Sequence, residues 1–125
     1  MNIELNKTFE ENFVVCTKDS AKEMGSGDLL ILSTPSLVAF MEESCKNYLN
    51  TFLEDGFGSV GSNINIDHLL PTALEKTVTI KGSVAEVIKD KIVKFVIEAF
   101  EEDKLIARAT HTRVVVNNEK FMSKL

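Results

Sequence analysis

Residues 33–53 read STPSLVAFMEESCKNYLNTFL, and the spacing of their apolar side chains predicts one amphipathic helix. Pro35 suits the first helical position, where its fixed φ is already helical and its missing N–H has no partner to lose, so Thr34 is the expected N-cap. At about 100° per residue, Leu37, Val38, Met41, Cys45, Tyr48, Leu49 and Phe52 gather on one broad stripe. A stripe that wide is packed in a core rather than laid on a surface. Glu42 and Glu43 are adjacent in sequence yet diverge in space. Glu42 falls beside Val38, Cys45 and Leu49 at the margin of the stripe, whereas Glu43 turns away with Asn47, Asn50 and Glu54. A carboxylate on an apolar margin loses hydration, and general bases and nucleophiles work in that setting.

Outward from this helix the period changes from 3.6 to 2. Gly58–Leu70 reads as a strand with Val60, Ile64, Ile66 and His68 on one face and Asn63, Asn65 and Asp67 on the other, so His68 looks inward. Pro71-Thr72 turns the chain, and Lys76–Ile80 alternates with Val78 and Ile80 on one side. Gly82 and a slip of the apolar phase between Val84 and Val87 indicate a bulge or bend. Lys89-Asp90 is a hairpin turn, followed by a strand burying Val93, Phe95, Ile97 and Ala99. Glu102-Asp103 turns again into Leu105–Val116, where Leu105, Ala107, Ala109, His111 and Arg113 share parity. Upstream, a strand runs around Phe13–Val15, Lys18–Gly25 is a short helical or turn segment ending at Gly25-Ser26-Gly27, and Asp28–Leu32 delivers the chain to the helix N-terminus, lining the pocket it faces.

A strand, a long helix and four further strands joined by tight turns give an α+β fold, an antiparallel sheet curled round one central helix, in a single domain over residues 1–125. Ile92, Val96, Phe100, Ile106, Val114 and Val116 fall on the face away from the helix, and that surplus calls for a second copy of the chain as cover.

Composition narrows the function classes. A formal net charge of −5 and no basic stripe argue against nucleic acid as a partner. The longest apolar runs, Leu29–Leu32 and Leu37–Met41, fall far short of the roughly 20 residues that a membrane helix needs. The start, MNIELNKTFEENF, has neither a basic nor an apolar leader pattern, so a cytoplasmic protein is expected. Cys16 and Cys45 lack metal-ligand spacing and are expected reduced and structural, and two isolated histidines make no metal site.

Three phrases together, GSGDLLILSTPSLVAFMEESC, VGSNINIDHLLPTALEKTV and ARATHTRVVV followed by KF, resemble the hotdog-fold acyl-CoA thioesterases of the fluoroacetyl-CoA thioesterase type over nearly the whole chain. The resemblance implies a hotdog fold and a site made from a hydroxyl residue at the helix start, a glutamate on the helix and a histidine closing the next strand. The matching residues are Thr34, Glu42 and His68. It also implies that Gly61 lets the thioester approach the backbone and that Arg113, in His111-Thr112-Arg113, meets a polar or anionic part of acyl-CoA. Residues Lys18–Leu32 are short and carry no aromatic gate, so fluoroacetyl selectivity does not follow.

A thioester is already activated, so its hydrolysis needs a water or carboxylate nucleophile, a proton shuttle and oxyanion donors. The expectation is that Glu42 attacks or serves as base, that His68 protonates the departing thiolate, and that Thr34 orients Glu42 or water. CoA is then part of the substrate, no cofactor is needed, and the enzyme is a homodimer or higher homo-oligomer with its site near the subunit interface. Plainer readings stand beside these. Thr34 caps any such helix, Glu42 pairs with Lys46 one turn on, His68 is a hydrogen-bonded strand end, and His111 and Arg113 pair with acidic neighbours. A non-catalytic acyl-CoA or small-ligand binding module is the competing function. The adjacency of Asp67 and His68 lacks the Asp-X-X-X-X-His spacing of a dehydratase.

Overall fold

Ser33, not Thr34, starts the central helix. Its hydroxyl oxygen accepts from the Ser36 N–H at 3.1 Å, and its backbone is extended, with φ −77° and ψ 152°. Thr34 is therefore the first helical residue and its hydroxyl is free for other work. Pro35 moves one position inward but stays in the first turn, where N–H groups have no intrahelical acceptor. The cap expected at Thr34 is corrected accordingly.

The computed structural model describes residues 1–125. Its elements are β1 (Thr8–Val14), a 3₁₀ turn (Thr17–Asp19), α1 (Ala21–Met24), α2 (Thr34–Asn50), β2 (Phe57–His68), β3 (Thr77–Ile88), β4 (Ile92–Glu101), β5 (Lys104–Asn117) and α3 (Asn118–Ser123). The α2 helix ends three residues before the expected Leu53, where the Thr51 hydroxyl donates to the Tyr48 carbonyl at 2.7 Å. The short α3 was not expected from the polar tail; the Asn117 side chain caps it, accepting from the Lys120 N–H at 3.1 Å.

The five strands form one antiparallel sheet in the order β1-β3-β4-β5-β2. Lys89 and Asp90 both adopt φ 54°, the left-handed pair of a hairpin turn whose twist matches its strands. The sheet curls round α2, and Leu37, Met41, Cys45 and Leu49 from the helix pack with Val78, Ile80, Val84, Val93, Phe95 and Ile97 in the core.

Register shifts place the site. In β3 the shift lies between Val84 and Glu86, where the apolar phase slipped in the sequence. In β5, Ala107 pairs with Ala99 and Leu105 with Phe100, leaving Ile106 as the extra residue. Ile106 consequently turns into the core with no exposed surface, which corrects its expected place on the outer face. In β2, Ser62 is the extra residue between Gly61 and Asn63.

The outer face is less apolar than the alternation implied. Successive pairings carry one row across all strands, Glu10 to Lys81 to Glu98 to Arg108 to Asp67, alternating in sign. Arg108 Nε lies 3.6 Å from Asp67 Oδ2. Both cysteines are free thiols, and no helix is long and apolar enough to cross a membrane.

Candidate active site

Two groups of side chains lie along α2. The first is at its start, where Thr34 Oγ1 and His68 Nδ1 are 2.8 Å apart. The local backbone explains the meeting. The N–H groups of Leu69 and Leu70 both donate to the carbonyl of the bulged Ile106, at 2.8 and 3.1 Å, so β2 stops at His68 and the chain bends away. The opposite wall is tied down by Ser33 N–H to the Asp19 carbonyl and Leu32 N–H to the Thr72 carbonyl, both 2.9 Å. Between them is a cavity of about 300 Å³ lined by Ile31, Thr34, Pro35, His68, Leu69 and Leu70 among others. Of the Asp28–Leu32 lead-in expected to line this pocket, Ile31 and Leu32 do so. His68 Nε2 is buried without a hydrogen-bond partner in the protein. Burial lowers the His68 pKa, the Leu70 backbone opposing, so the ring is neutral near pH 7.

The second group sits at mid-helix. Glu42 Oε2 lies 3.6 Å from Arg113 Nη1 and 3.9 Å from His111 Nε2. Arg113 is nearly buried, at 6% exposure, and firmly held. Its Nε donates to Ser59 Oγ at 2.8 Å, Nη2 to the Ser59 carbonyl at 3.2 Å, and Nη1 to His111 Nε2 at 3.1 Å. The other ring nitrogen of His111, Nδ1, is 2.7 Å from the Asn63 carbonyl, just past the β2 bulge. Burial lowers the Arg113 pKa while the Glu42 charge raises it. Cys45, next to this group, is pushed up to about 12 chiefly by burial, Arg113 opposing and Glu42 adding. A thiol that reluctant to ionise is not a nucleophile.

Gly61 adjoins the second group, since an added methyl there would lie 2.6 Å from Glu42 Oε2, and this group and the Thr34–His68 pair are separate within one chain. Glu42 follows Thr34 by eight positions of helix, about 12 Å of rise, and no hydrogen bond or ion pair joins Glu42 to His68. Thr34 meets His68 rather than Glu42, and the cation beside Glu42 is Arg113 rather than Lys46. Sequence reasoning missed Ser59, whose hydroxyl and carbonyl both hold Arg113, and gave His111 no specific partner. Ser59 and Gly61 face inward because the Ser62 bulge reverses parity within β2, so Val60, expected inward with Ile64 and Ile66, lies instead opposite Val114 on the outer face. No group of three or more His, Cys, Asp or Glu side chains is placed to hold a metal ion.

A curved five-stranded antiparallel sheet wrapped round one long helix is the hotdog fold. The chain belongs to the family described as fluoroacetyl-CoA-specific thioesterase, which it matches over residues 15–119. A fluoroacetyl-CoA thioesterase from Streptantibioticus cattleyicolor is 30% identical over 95 residues, 76% of this chain and 68% of that protein. The solved structure of the fluoroacetyl-CoA thioesterase FlK superposes with a TM-score of 0.92 at 25% identity, covering 99% of this chain and 96% of that one. A point mutant of that enzyme, solved with fluoroacetate and CoA, gives 0.89 at 25% identity over 95% and 99% of the two chains.

Proposed function

We propose that this protein hydrolyses a small acyl-CoA thioester to the free acid and CoA, with Glu42, His68 and Thr34 carrying the chemistry. The observation that carries the reading is the 2.8 Å contact between Thr34 Oγ1 and His68 Nδ1 in the wall of the cavity at the start of α2. A neutral imidazole that lines the pocket can pass a proton to a departing thiolate, and the Thr34 hydroxyl fixes its ring. Glu42, beside the Arg113 guanidinium, supplies the carboxylate that attacks the carbonyl carbon or takes a proton from the attacking water. Backbone N–H groups near Gly61 receive the oxyanion, and Gly61 allows the thioester to come close. Arg113 has little free surface, so its contact with acyl-CoA is confined to the carbonyl region beside Glu42.

The separation of the two groups supports a homodimer. β2 is a 12-residue edge strand without a lysine or proline, and such an edge is open to pairing with another strand. An antiparallel β2–β2 join brings the His68 end of one copy toward the Gly61 half of the other, placing the site at the interface. Two unpaired thiols suit a reducing cytoplasm.

The test is thiol release from short and medium acyl-CoAs. Turnover by the wild type that collapses in Glu42→Gln supports hydrolysis through Glu42. Absence of thiol release, with acyl-CoA raising the Tm of both proteins, points instead to a binding module.

A further inference from the structure

We propose that His111 is a positioning residue for the Glu42 centre, tying the β2 bulge to Arg113 and thereby holding the guanidinium against the carboxylate. The inference rests on the proposed role of Glu42 and extends it to a residue that touches no substrate.

The neighbours of His111 define its form. Nδ1 faces the Asn63 carbonyl at 2.7 Å, a group that only accepts, so Nδ1 carries the proton. Nε2 faces Arg113 Nη1 at 3.1 Å, a group that only donates, so Nε2 is a bare acceptor. A second ring proton would set N–H against N–H and cation against cation. The other groups facing the ring are the Phe95 ring of β4, with centroids 6.3 Å apart, and Glu42 of α2. The Asn63 hydrogen bond and Glu42 favour protonation. Burial, the largest effect, opposes it, as does Arg113.

His111 completes the grip on Arg113. Ser59 takes Nε and Nη2 on one side of the guanidinium, leaving Nη1 on the other. The His111 acceptor fixes Nη1, which also makes the ion-pair contact with Glu42 Oε2 at 3.6 Å. The same point is closed from β2, because a methyl on Gly61 would lie 2.6 Å from Glu42 Oε2 and 3.2 Å from His111 Cε1. The Asn63 carbonyl that orients the ring follows directly on the Ser62 bulge. The bulge, the ring, the guanidinium and the carboxylate are thus linked in series.

The experiment compares His111→Gln, whose amide oxygen can reach the Nε2 position and accept from Arg113, with His111→Asn, whose amide can serve Asn63 but not Arg113. Two readouts are taken. The first is NMR of the Arg113 side-chain N–H groups, which needs no turnover. Separate, slowly rotating Nη signals are expected in wild type and Gln, with averaging in Asn. The second is kcat and KM for acetyl-CoA. Asn is expected to lose about tenfold or more in kcat with KM nearly unchanged, Gln to recover most of it, and His111→Asn to add nothing in an Arg113→Ala background. Arg113 signals that stay separate in Asn, or losses in Asn and Gln that are equal and add to that of Arg113→Ala, would overturn the proposal. A wild type with no turnover on any acyl-CoA counts against the thioesterase reading, and the Arg113 signals still decide the role of His111.

Discussion

Gly61 and Glu42 occupy adjoining space so closely that a single methyl group on Gly61 would sit 2.6 Å from Glu42 Oε2. The backbone of Gly61 has no positive φ, so an alanine there is unstrained and its cost falls on the carboxylate. That carboxylate is the far end of a flexible side chain and can move. Gly61→Ala should therefore fold normally, with Tm within a few degrees of wild type, while kcat falls about 10- to 100-fold because Glu42 is displaced from Arg113. Paired Tm and kcat measurements check this. A variant with wild-type turnover would show that the Glu42 position does not matter.

Ser33 and Thr34 divide two jobs that either hydroxyl alone could do. Ser33→Ala removes the cap of α2 and should cost about 1 kcal/mol, read by denaturant unfolding, with the Thr34–His68 contact preserved. Thr34→Val leaves the cap intact and should hold stability near wild type while kcat drops. The crossed pattern distinguishes capping from chemistry; the reverse pattern would restore Thr34 as the cap.

The pH dependence of stability has two limbs with different causes. His68 and His111 both have pKa values lowered from 6.5, chiefly by burial. The unfolded chain then binds protons first, so their contribution is present above about pH 6.5 and is lost as pH falls through the folded values. Cys45 is raised from 9.0 to about 12 by burial, so the unfolded chain releases its proton first and stability declines between those values. Urea midpoints from pH 4 to 11 should fall on both sides, and His111→Gln should flatten the acid limb. An acid limb unchanged in that variant would mean that His111 is not titrating against the fold.

If Glu42 of one copy works with His68 of another, two inactive proteins should complement. Mixing Glu42→Gln with His68→Ala under conditions that exchange subunits should restore about a quarter of wild-type activity, since half of the dimers are mixed and each of those has one intact site. No recovery, despite demonstrated exchange, would put both residues of a working site in one chain.

The elements were legible where a local rule decides them. The α2 stripe follows from its 3.6 period, and the Lys89-Asp90 and Glu102-Asp103 turns follow from residues placed between alternating runs. What escaped was set by tertiary context. Ser33 and Thr34 can both cap a helix, and the chain ties at Leu32 and Ser33 fix Ser33 in that place. Ile106 reads as an outer-face residue until the bulge at Ala99 and Phe100 reverses its parity. The resemblance picked out Thr34, Glu42 and His68 together, but helix rise alone separates the first two by about 12 Å. The roles of Ser59 and Asn63 were invisible because both act partly through backbone carbonyls, which every residue possesses.

The most direct measurement is steady-state thiol release from a graded acyl-CoA series by wild type, Glu42→Gln and His68→Ala, with Tm recorded for all three. The account predicts turnover by the wild type on short acyl-CoAs and losses of at least about a hundredfold in both variants at near-normal Tm. Wild-type turnover retained in both folded variants would contradict it.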